Sequence, residues 1–367
     1  MKDGFISVAV ATPEVEVANC VKNAAATVQL VEEAAARGVK LLVLPELGLT
    51  AYTCGDLFLQ PTLLRGAEAA LAAVLDATRG KELLVAVGLP VAVQQTLYNC
   101  AAILHDSKIL GVVPKVHVPN YSEFYEKRHF APAPAETLEI VLCGQTVPFG
   151  AKLLFACREL PDFVLGVEIC EDLWVPDPPS NRLALAGATV IANLSASNEV
   201  LCKAPYRRQL VAGQSARLSA AYLYACAGDG ESTTDLVFSG HDIIAENGTV
   251  LAEQRFETGL IATEIDVSRL VQERRRMQNF PARASSFETV FFSGPLPKTP
   301  LTRPISPMPF VPDDPEPDIE QTARRAQRDL SRFREDYILS LSRGQIIQSD
   351  SFLMSMDETV RRLYLDC

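Results

Sequence analysis

Short apolar runs alternate with longer segments of helical periodicity along most of the chain. The run Phe5–Thr12 predicts a first strand, because a continuous apolar segment of this length is typical of a buried strand. Apolar residues then recur at helical spacing from Val21 to Ala35, and Gly38 ends this helix. A second strand is expected at residues 41–44. Strand–helix–strand order with a right-handed crossover is typical of an α/β fold with parallel strands.

The same alternation continues to residue 265. We predict further helices at residues 61–78, 182–187 and 206–216, and further strands at residues 83–88, 98–104, 109–113, 163–169, 189–194, 220–227 and 259–265. The dipeptide Asn247-Gly248 predicts the turn of a hairpin within residues 238–253, since it fits a type I′ turn. The strand at residues 259–265 is expected to be the last of the core.

The composition changes near Pro295, where nine prolines occur up to Pro317. Proline-rich segments are extended and free of helix, so residues 286–317 are predicted to be a linker. The linker would join a core domain at residues 1–285 to a helical tail or truncated remnant at residues 318–367. Arginines in the tail are compatible with an RNA-binding face, but the scarcity of interleaved aromatic residues favours a solvated helix.

Composition and charge exclude several classes of protein. The net charge of −11 comes without a basic stripe, so we expect no nucleic-acid partner. A secretory signal and an apolar run of bilayer-spanning length are both lacking, so no membrane partner is expected. Nine cysteines without CxxC pairs favour reduced thiols in a cytoplasmic protein. The four histidines lack metal-ligand spacing, and we expect no metal site.

Three predicted strands end at residues with catalytic potential. Glu46 and Lys115 each follow an apolar run and a proline, and Cys170 follows the apolar run 163–169 directly. The carboxyl ends of strands in α/β sheets carry most of their chemistry. Each residue alone has a commoner explanation, as a packed core thiol or a solvated loop charge. An acid, an ammonium and a thiol in equivalent positions favour one shared pocket.

These residue types suit the hydrolysis of an amide. A thiol of ordinary pKa, about 8.5, is mostly protonated at neutral pH and needs a base or a nearby cation. Glu46 can take the thiol proton and later protonate a leaving amine. Lys115 favours the thiolate and can face the oxyanion of a tetrahedral intermediate, and the backbone N–H of Glu171 is a second candidate oxyanion donor. This chemistry requires no histidine.

Glu46, Lys115 and Cys170, in this order and each after a strand, resemble the nitrilase, or C–N hydrolase, superfamily. Five segments resemble more narrowly the N-terminal glutaminase domain of glutamine-dependent NAD synthetase. They are residues 44–58, 114–130, 166–176, 193–197 and 227–236, of which Asn-Tyr-Ser-Glu-Phe-Tyr-Glu and Gly-Glu-Ser-Thr-Thr-Asp are the most specific parts. The resemblance implies a four-layer α-β-β-α sandwich that forms homodimers or larger homo-oligomers.

The resemblance also implies which residues bind substrate. The predicted set is Tyr121, Glu126, Glu171, Ser197 and Lys203. Tyr121 would line a glutamine pocket, and Glu126 would orient the lysine, with Glu123 as a nearby alternative. Ser197 would contact the α-groups of glutamine and Lys203 its carboxylate, although the family often has Arg at the latter position. From the residues alone, the loop that contains Tyr121 and Glu126 could equally be an active-site loop or an ordinary surface loop. Ser197 could likewise cap a turn instead of binding substrate.

The resemblance implies a cysteine-dependent amidase that hydrolyses L-glutamine to glutamate and ammonia through a thioester, supplying ammonia for NAD+ synthesis without a cofactor. Full-length relatives also carry an ATP-dependent synthetase domain with a Ser-Gly-Gly-x-Asp-Ser loop, which this sequence lacks. ATP, Mg²⁺ and deamido-NAD are therefore expected only with a separate synthetase partner. Two alternatives stay open: a C–N hydrolase acting on another amide or carbamoyl substrate, and a catalytically idle, truncated interaction module.

Overall fold

The computed structural model describes residues 3–280, 286–295 and 298–305. Residues 1–303 form one compact unit, and of the second unit, residues 304–367, the structure describes only residues 304 and 305. The helices are α1 (Cys20–Ala36), α2 (Pro61–Ala77), α3 (Pro179–Leu185), α4 (Lys203–Leu218) and α5 (Val267–Met277). In this part of the chain, no helix is both long and apolar enough to cross a bilayer.

The described strands form two sheets. They are β1 (Phe5–Thr12), β2 (Leu41–Val43), β3 (Leu84–Val93), β4 (Thr96–His105), β5 (Lys108–Pro114), β6 (Leu138–Leu142), β7 (Gln145–Phe149), β8 (Leu153–Cys157), β9 (Val164–Ile169), β10 (Val190–Ser195), β11 (Ala221–Cys226), β12 (Asp242–Glu246), β13 (Thr249–Gln254), β14 (Gly259–Asp266) and β15 (Glu288–Phe292). The first sheet has the order β14-β1-β2-β3-β4-β5-β7-β6, and the second has the order β13-β12-β11-β10-β9-β8-β15.

The sheets pack face to face around a buried apolar layer that includes Val8 and Leu41 of the first sheet and Leu165 and Leu223 of the second. Helices α1 and α2 cover the outer face of the first sheet. Helices α3 and α4 cover the outer face of the second sheet. This confirms the predicted four-layer α-β-β-α sandwich.

Local sequence explains why the helices and central strands form. Helix α1 begins where the Asn19 side chain accepts the backbone N–H of Lys22, and it buries residues at helical spacing, including Leu30, Val31 and Ala34. The central strands β9 and β10 lack alternation because the first sheet covers one of their faces and helices cover the other. Their continuous apolar runs were therefore readable as strands.

Strand direction brings the predicted site residues to one edge. Strands β1, β2 and β3 run parallel, and two successive antiparallel pairings make β5 parallel to β3. In the second sheet β9, β10 and β11 run parallel. The backbone N–H of Glu46, after β2, donates to the Ser195 carbonyl at the end of β10 (3.3 Å). The carboxyl ends of β2 and β10 thus meet at this point.

Several elements differ from the sequence prediction. Strands β6, β7 and β8 and helix α5 were not predicted. Strand β6 is short and largely exposed, and α5 has few apolar residues among its charged ones. The strand at residues 259–265 is not the last of the core. Residues 288–292, placed in the predicted linker, instead form β15, which pairs with β8 and buries Phe292.

The other predictions for the end of the chain fall mostly outside the described residues. Residues 306–317 of the predicted linker and the whole predicted tail, 318–367, are not described. Residues 298–303 belong to the first compact unit, in which the Thr302 hydroxyl donates to Glu264 (2.9 Å) and the Arg303 guanidinium to Glu246 (3.1 Å). The domain boundaries stay predictions.

Candidate active site

Glu46 lies in a tight turn that packs directly on β3. A Cβ added at Gly88 would lie 2.4 Å from the backbone nitrogen of Leu47 and 2.5 Å from the carbonyl oxygen of Pro45. Only glycine allows this close approach, because real Cβ contacts of that length do not occur. Leu47 has a φ of +53°, in the left-handed region. The turn is therefore held in place by its packing on β3 and by the hydrogen bond from the Glu46 N–H to the Ser195 carbonyl at the end of β10.

Lys115 links two buried carboxylates. Its Nζ donates to Oε1 of Glu46 (2.6 Å) and to both carboxylate oxygens of Glu126 (2.7 and 2.9 Å). Asn99 Nδ2 also donates to Glu46 (2.6 Å), and the Tyr52 hydroxyl donates to Glu126 (2.9 Å). Glu46, Lys115 and Glu126 are at most 5% exposed. The described contacts thus form one buried polar cluster, which we call the carboxylate–lysine cluster (Glu46, Asn99, Lys115 and Glu126).

The cluster carries a cation between two potential anions. Burial lowers the pKa of Lys115, but the Glu126 and Glu46 carboxylates outweigh burial and leave that pKa well above its ordinary value. Burial raises the pKa of Glu126, and the Lys115 charge opposes the rise. Lys115 therefore stays an ammonium although it is fully buried, because its two carboxylate partners stabilise the charge.

Cys170 follows β9 and adopts a φ of +44°, a left-handed conformation that is uncommon for a residue with a Cβ. Its backbone N–H donates to Oδ1 of Asn193 on β10 (3.1 Å). The Asp172 carboxylate accepts the backbone N–H groups of Ile169 (3.0 Å) and His117 (2.7 Å). Asp172 thereby joins the turn that carries the thiol to the segment that follows Lys115.

The surroundings of Cys170 favour the neutral thiol at rest. Burial raises the pKa of Cys170 well above its ordinary value, and the Glu46 carboxylate adds to the rise. The Lys115 charge and the backbone N–H of Ala196 act in the opposite direction. Glu46 and Lys115 thus act on the thiol with opposite sign. Such a thiol needs a base to remove its proton during reaction.

The predicted substrate-binding residues surround this site unevenly. Glu126 contacts Lys115, whereas the alternative Glu123 instead accepts Asn198 Nδ2 (2.5 Å). The Tyr121 hydroxyl lies 3.0 Å from both carboxylate oxygens of Glu171, and its side chain is about half exposed. The side chain of Glu171, rather than only its backbone, therefore takes part in the loop contacts.

Ser197 and Lys203 lie on the β10 side of the site. Ser197 is buried, and its hydroxyl accepts Nη2 of Arg207 (3.3 Å). Lys203, at the start of α4, donates to the Asn198 side chain and lies 5.0 Å from the centre of the Trp174 ring. Burial lowers the pKa of Lys203, which the Cys170 side chain opposes. Lys203 is therefore a partly desolvated cation near the thiol.

A half-open cavity of about 190 Å³ adjoins the carboxylate–lysine cluster at Glu126 and Tyr52. The Glu231 side chain holds one wall of it, because its carboxylate accepts the backbone N–H groups of Tyr52 (2.7 Å) and Thr53 (3.0 Å). Gly230 precedes it with a φ of +93°, and a Cβ there would lie 1.7 Å from a backbone oxygen of Val15. These contacts explain why the Gly-Glu-Ser-Thr-Thr-Asp segment begins with a glycine, where no Cβ fits, followed by a glutamate, which accepts two backbone N–H groups.

Sequence reasoning missed Asn99, Asn193, Tyr52 and Glu231. Asn99 and Asn193 are each a polar residue within an otherwise apolar strand, and this signal was available in the sequence. Tyr52 and Glu231 lie in loops, and no local pattern points from one to the other. No cluster of three or more His, Cys, Asp or Glu residues that could hold a metal ion is found among residues 3–280, 286–295 and 298–305.

The carbon-nitrogen hydrolase family matches residues 7–275 of the chain, which contain Glu46, Lys115 and Cys170. The chain belongs to the carbon-nitrogen hydrolase family. The solved structure of a glutamine-dependent NAD(+) synthetase from Cytophaga hutchinsonii superposes on it with a TM-score of 0.64 at 26% identity, covering 72% of this chain and 43% of the other. An amidase from Nesterenkonia sp. superposes with a TM-score of 0.57 at 18% identity, covering 76% and 97%, and shares the fold.

Among curated relatives, this carbon-nitrogen hydrolase is 42% identical over 325 residues to the glutamine-dependent NAD(+) synthetase of Mycobacterium tuberculosis. The match covers 85% of this chain and 48% of the relative. The chain thus spans about half the length of the curated relatives it matches.

Proposed function

We propose that this carbon-nitrogen hydrolase is a glutaminase that hydrolyses L-glutamine to glutamate and ammonia. The observation that carries the proposal is the fully buried ion pair of Lys115 with Glu46 (2.6 Å), set beside a thiol held in a left-handed turn. Burying three ionisable groups is costly unless each has a partner. Perturbed groups gathered at strand ends are typical of a catalytic site. The similarity to glutamine-dependent NAD(+) synthetases supports glutamine as the amide.

The proposed reaction begins with proton transfer from the Cys170 thiol to Glu46. The thiolate attacks the side-chain amide carbon of glutamine, and the oxyanion faces the Lys115 ammonium and the backbone N–H of Glu171. The protonated Glu46 then gives its proton to the departing nitrogen as the C–N bond breaks, which releases ammonia. Glu126 takes no proton in this scheme and holds Lys115 in place.

The second half of the reaction hydrolyses the γ-glutamyl thioester. Glu46, again a carboxylate, removes a proton from water, and the resulting hydroxide adds to the thioester carbon. The tetrahedral intermediate collapses, glutamate leaves, and the sulfur recovers the proton from Glu46. One water is consumed for each glutamine, and the site returns to its starting charge.

We assign substrate recognition to the residues around the thiol. Lys203 would pair with the α-carboxylate of glutamine, because it is a partly desolvated cation on the β10 side of the site. Ser197 would contact the α-groups, and Tyr121 and Glu171 would form the outer wall. The amidase step requires no cofactor in this scheme.

We further propose that the ammonia serves NAD+ synthesis, with a synthetase partner supplying the ATP-, Mg²⁺- and deamido-NAD-dependent step. The protein would act in the cytoplasm as a homodimer or larger homo-oligomer. Support for the pathway comes from the named relatives, of which this chain matches about half.

The test is ammonia release from glutamine by the purified protein and by Cys170→Ala. We expect the variant to remain folded and to lose essentially all release, because Cys170 forms the covalent bond. Cys143→Ala, at a half-buried thiol in the turn between β6 and β7, is the matched control and should retain full activity. Undiminished turnover by Cys170→Ala would reject the assignment.

The substrate is tested by comparing glutamine with asparagine and N-carbamoyl amino acids. Preferred release from glutamine supports the glutaminase. Preference for another amide or a carbamoyl compound would keep the family chemistry and overturn the substrate. Absence of turnover on every compound, together with a Cys170 that resists a glutamine-like electrophile, would favour the idle interaction module.

A further inference from the structure

A chain of buried hydrogen bonds leads away from the backbone of Cys170 into the second sheet. Oδ1 of Asn193 accepts the Cys170 N–H (3.1 Å), and Nδ2 of Asn193 donates to the Tyr222 hydroxyl (3.0 Å). Tyr222 in turn donates to Oε1 of Glu168, and Oε2 of Glu168 accepts the backbone N–H of Ser180 (2.7 Å). We call this chain the Cys170 relay (Cys170, Asn193, Tyr222 and Glu168).

The two ends of the relay favour one direction for its hydrogen bonds. A backbone N–H can only donate, so the oxygen of the Asn193 amide faces Cys170, and the same oxygen accepts the Ser195 hydroxyl (2.7 Å). The amide nitrogen then faces Tyr222, whose oxygen accepts and whose own hydrogen is donated to Glu168. Burial raises the pKa of Glu168, and hydrogen bonds from Tyr222 and Ser180 oppose the rise. Removing the acceptor at Glu168 therefore works against the amide orientation that places an oxygen at Cys170.

The relay is shielded from water and lies on rigid elements. Asn193 and Tyr222 are 0% exposed and Glu168 is 1% exposed. Glu168 and Asn193 are paired residues on the parallel strands β9 and β10, and Tyr222 lies on the adjacent strand β11. Water cannot replace a lost partner at such a position without rearrangement, so the side chains must satisfy one another.

We propose that Glu168 is a positioning residue that acts through Tyr222 and Asn193 to hold Cys170 in its left-handed conformation. The inference rests on the proposed function, in which Cys170 is the nucleophile. A left-handed residue at the end of a strand turns the chain sharply and fixes where its side chain points. Such a conformation persists only where its surroundings hold it. The Asn193 oxygen is the acceptor that holds the Cys170 backbone. Glu168, through Tyr222, reinforces the amide orientation that places this oxygen there.

The test reverses the relay without changing its size. Glu168→Gln retains an oxygen for Ser180 and turns an amide NH₂ toward Tyr222. The Tyr222 hydrogen then points at the amide nitrogen of Asn193, which is also a donor. To relieve this contact between two donors, the Asn193 amide must rotate or move away from Tyr222. Either change removes the acceptor from Cys170. Tyr222→Phe interrupts the relay more simply, by deletion of one hydroxyl.

A second change should repair the first. Asn193→Asp by itself supplies an oxygen to Cys170 but leaves two carboxylates competing for the single Tyr222 proton. In the double variant Glu168→Gln/Asn193→Asp, the new amide donates to Tyr222 and Tyr222 donates to the new carboxylate. The two hydrogen bonds of Tyr222 are then restored in the opposite direction, those from the Cys170 and Ser180 N–H groups keep their direction, and the total charge is unchanged. A merely structural role would give additive damage, whereas a relay gives rescue.

The measured quantity is the rate constant for alkylation of Cys170 by iodoacetamide, followed by peptide mass spectrometry. We expect Glu168→Gln, Asn193→Asp and Tyr222→Phe each to slow alkylation by roughly tenfold to a hundredfold, the effect of a small misplacement of a reacting group. The double variant should recover at least half of that loss on a logarithmic scale. In glutamine turnover, kcat should fall in parallel while KM changes by less than about threefold.

Asp242→Asn is the matched control. Asp242 is an equally buried carboxylate on β12 that accepts the backbone N–H of another cysteine, Cys226 (2.9 Å). This variant should lower thermal stability but leave the alkylation rate of Cys170 unchanged. The proposal is overturned if the folded single variants alkylate at the wild-type rate, or if the double variant is slower than both of its parents. If Glu168→Gln does not fold, Tyr222→Phe and the double variant decide by the same criteria.

Failure of the relay and failure of the proposed function are distinguishable. Alkylation does not require glutamine to be the substrate. A wild-type protein that is alkylated rapidly at Cys170 but releases no ammonia from glutamine would contradict the proposed substrate and leave the relay testable by alkylation. A wild-type protein that turns over glutamine while all relay variants match it would contradict the relay alone.

Discussion

The two sheets hold their halves of the candidate site by different means. The first sheet supplies Glu46 and Lys115, whose side chains bind each other through charge, together with Asn99. The second sheet supplies Cys170, which is held through its backbone N–H by the uncharged amide of Asn193. The half on the first sheet, which we call the charged half, depends on which side chains are present. The half on the second sheet, which we call the thiol half, depends on backbone conformation and on the direction of hydrogen bonds.

This difference follows from what each half must do. A cation that stabilises an oxyanion and a base that moves a proton must keep their charges in a buried place, which requires direct ionic partners. A nucleophile must stay neutral until it reacts and must point at one atom of the substrate. Position, rather than charge, is therefore what the second sheet provides.

The largest effect is expected when the charged half loses its cation. Lys115→Met leaves Glu46 and Glu126 buried without their cation, so activity should fall by at least about 10³-fold. The free energy of unfolding should fall by about 3–5 kcal/mol at pH 7, as expected when one partner of a buried ion pair is removed. Ammonia release and denaturant unfolding are the measurements.

Arg79→Met is the control for this prediction. Arg79 pairs with Asp76 (2.5 Å) on the surface, where both side chains are about 70% exposed. Removing this pair should leave the free energy of unfolding nearly unchanged, because water screens exposed ion pairs. Equal losses in the two variants would show that the buried cluster is no more dependent on its cation than a surface pair.

The next effect acts on the same half through the backbone. Gly88→Ala places a methyl group against the turn of Pro45 and Leu47 and should displace the Glu46 carboxylate. We expect kcat to fall by roughly tenfold to a hundredfold, the effect of a displacement near 1 Å. Gly213→Ala is the control, since a Cβ at that position of α4 meets no atom within 4 Å. It should stabilise the protein by about 0.5–1 kcal/mol, and an active Gly88→Ala would contradict the tight turn.

A pH-dependent effect on stability is expected at Asp172, which lies in the turn that carries Cys170. Burial raises the pKa of Asp172 to about 8, and the Glu168 charge adds to the rise. The folded protein therefore keeps a proton that the unfolded chain, with an ordinary pKa of 3.8, releases. The stability contributed by this proton is fully present below about pH 4 and is lost as the pH rises toward 8.

Asp172→Asn removes this titration while leaving the others in place. The difference in unfolding free energy, wild type minus variant, should fall by up to about 1.4 kcal/mol per pH unit between roughly pH 4 and 8. Denaturant titrations at several pH values measure it. Asp177→Asn should show no fall between these pH values, because hydrogen bonds from Asn181 and Arg182 lower the pKa of Asp177 from 3.8 and its contribution is lost only as the pH drops below about 4. A difference that rises with pH for Asp172→Asn would contradict the assignment.

The smallest expected effect lies at the rim of the site. Tyr121→Phe removes the hydroxyl that contacts Glu171, but the side chain is about half exposed and water can replace the contact. Stability should change by less than about 0.5 kcal/mol. If Tyr121 lines the glutamine pocket, KM should rise by a few-fold, roughly, with kcat unchanged. Unchanged KM would remove Tyr121 from the substrate-binding set.

Sequence patterns predicted most of the central strands and the residues at their ends because both depend on local signals, whereas the four-layer sandwich was implied by the resemblance to a family. An apolar run with a charged residue or a thiol at its end is visible without knowing what lies beside it. The pairing of Lys115 with Glu126 rather than Glu123 was not decidable in this way, since both glutamates lie among aromatic residues of one loop. Asn99 was missed because its importance arises from contacts with residues far away in sequence.

The Cys170 relay shows a second limit. Glu168, Asn193 and Tyr222 were all read as parts of apolar strands, and each strand was predicted correctly. Their shared role depends on strand order and register, which place Glu168 beside Asn193 and β11 beside β10. Strand pairing of this kind is set by the whole fold rather than by any one segment.

Strand β15 has a practical consequence for anyone who shortens this chain. A protein ended at residue 285, where the composition suggests a boundary, would lose the strand that pairs with β8. The peptide groups of β8 would then be left as an open sheet margin, a template onto which another molecule can add. Strand β8 is buried along its whole length, whereas β15, the edge strand among the described residues, is largely exposed. A protein ended at residue 285 should therefore self-associate on storage more than one that extends through Arg303.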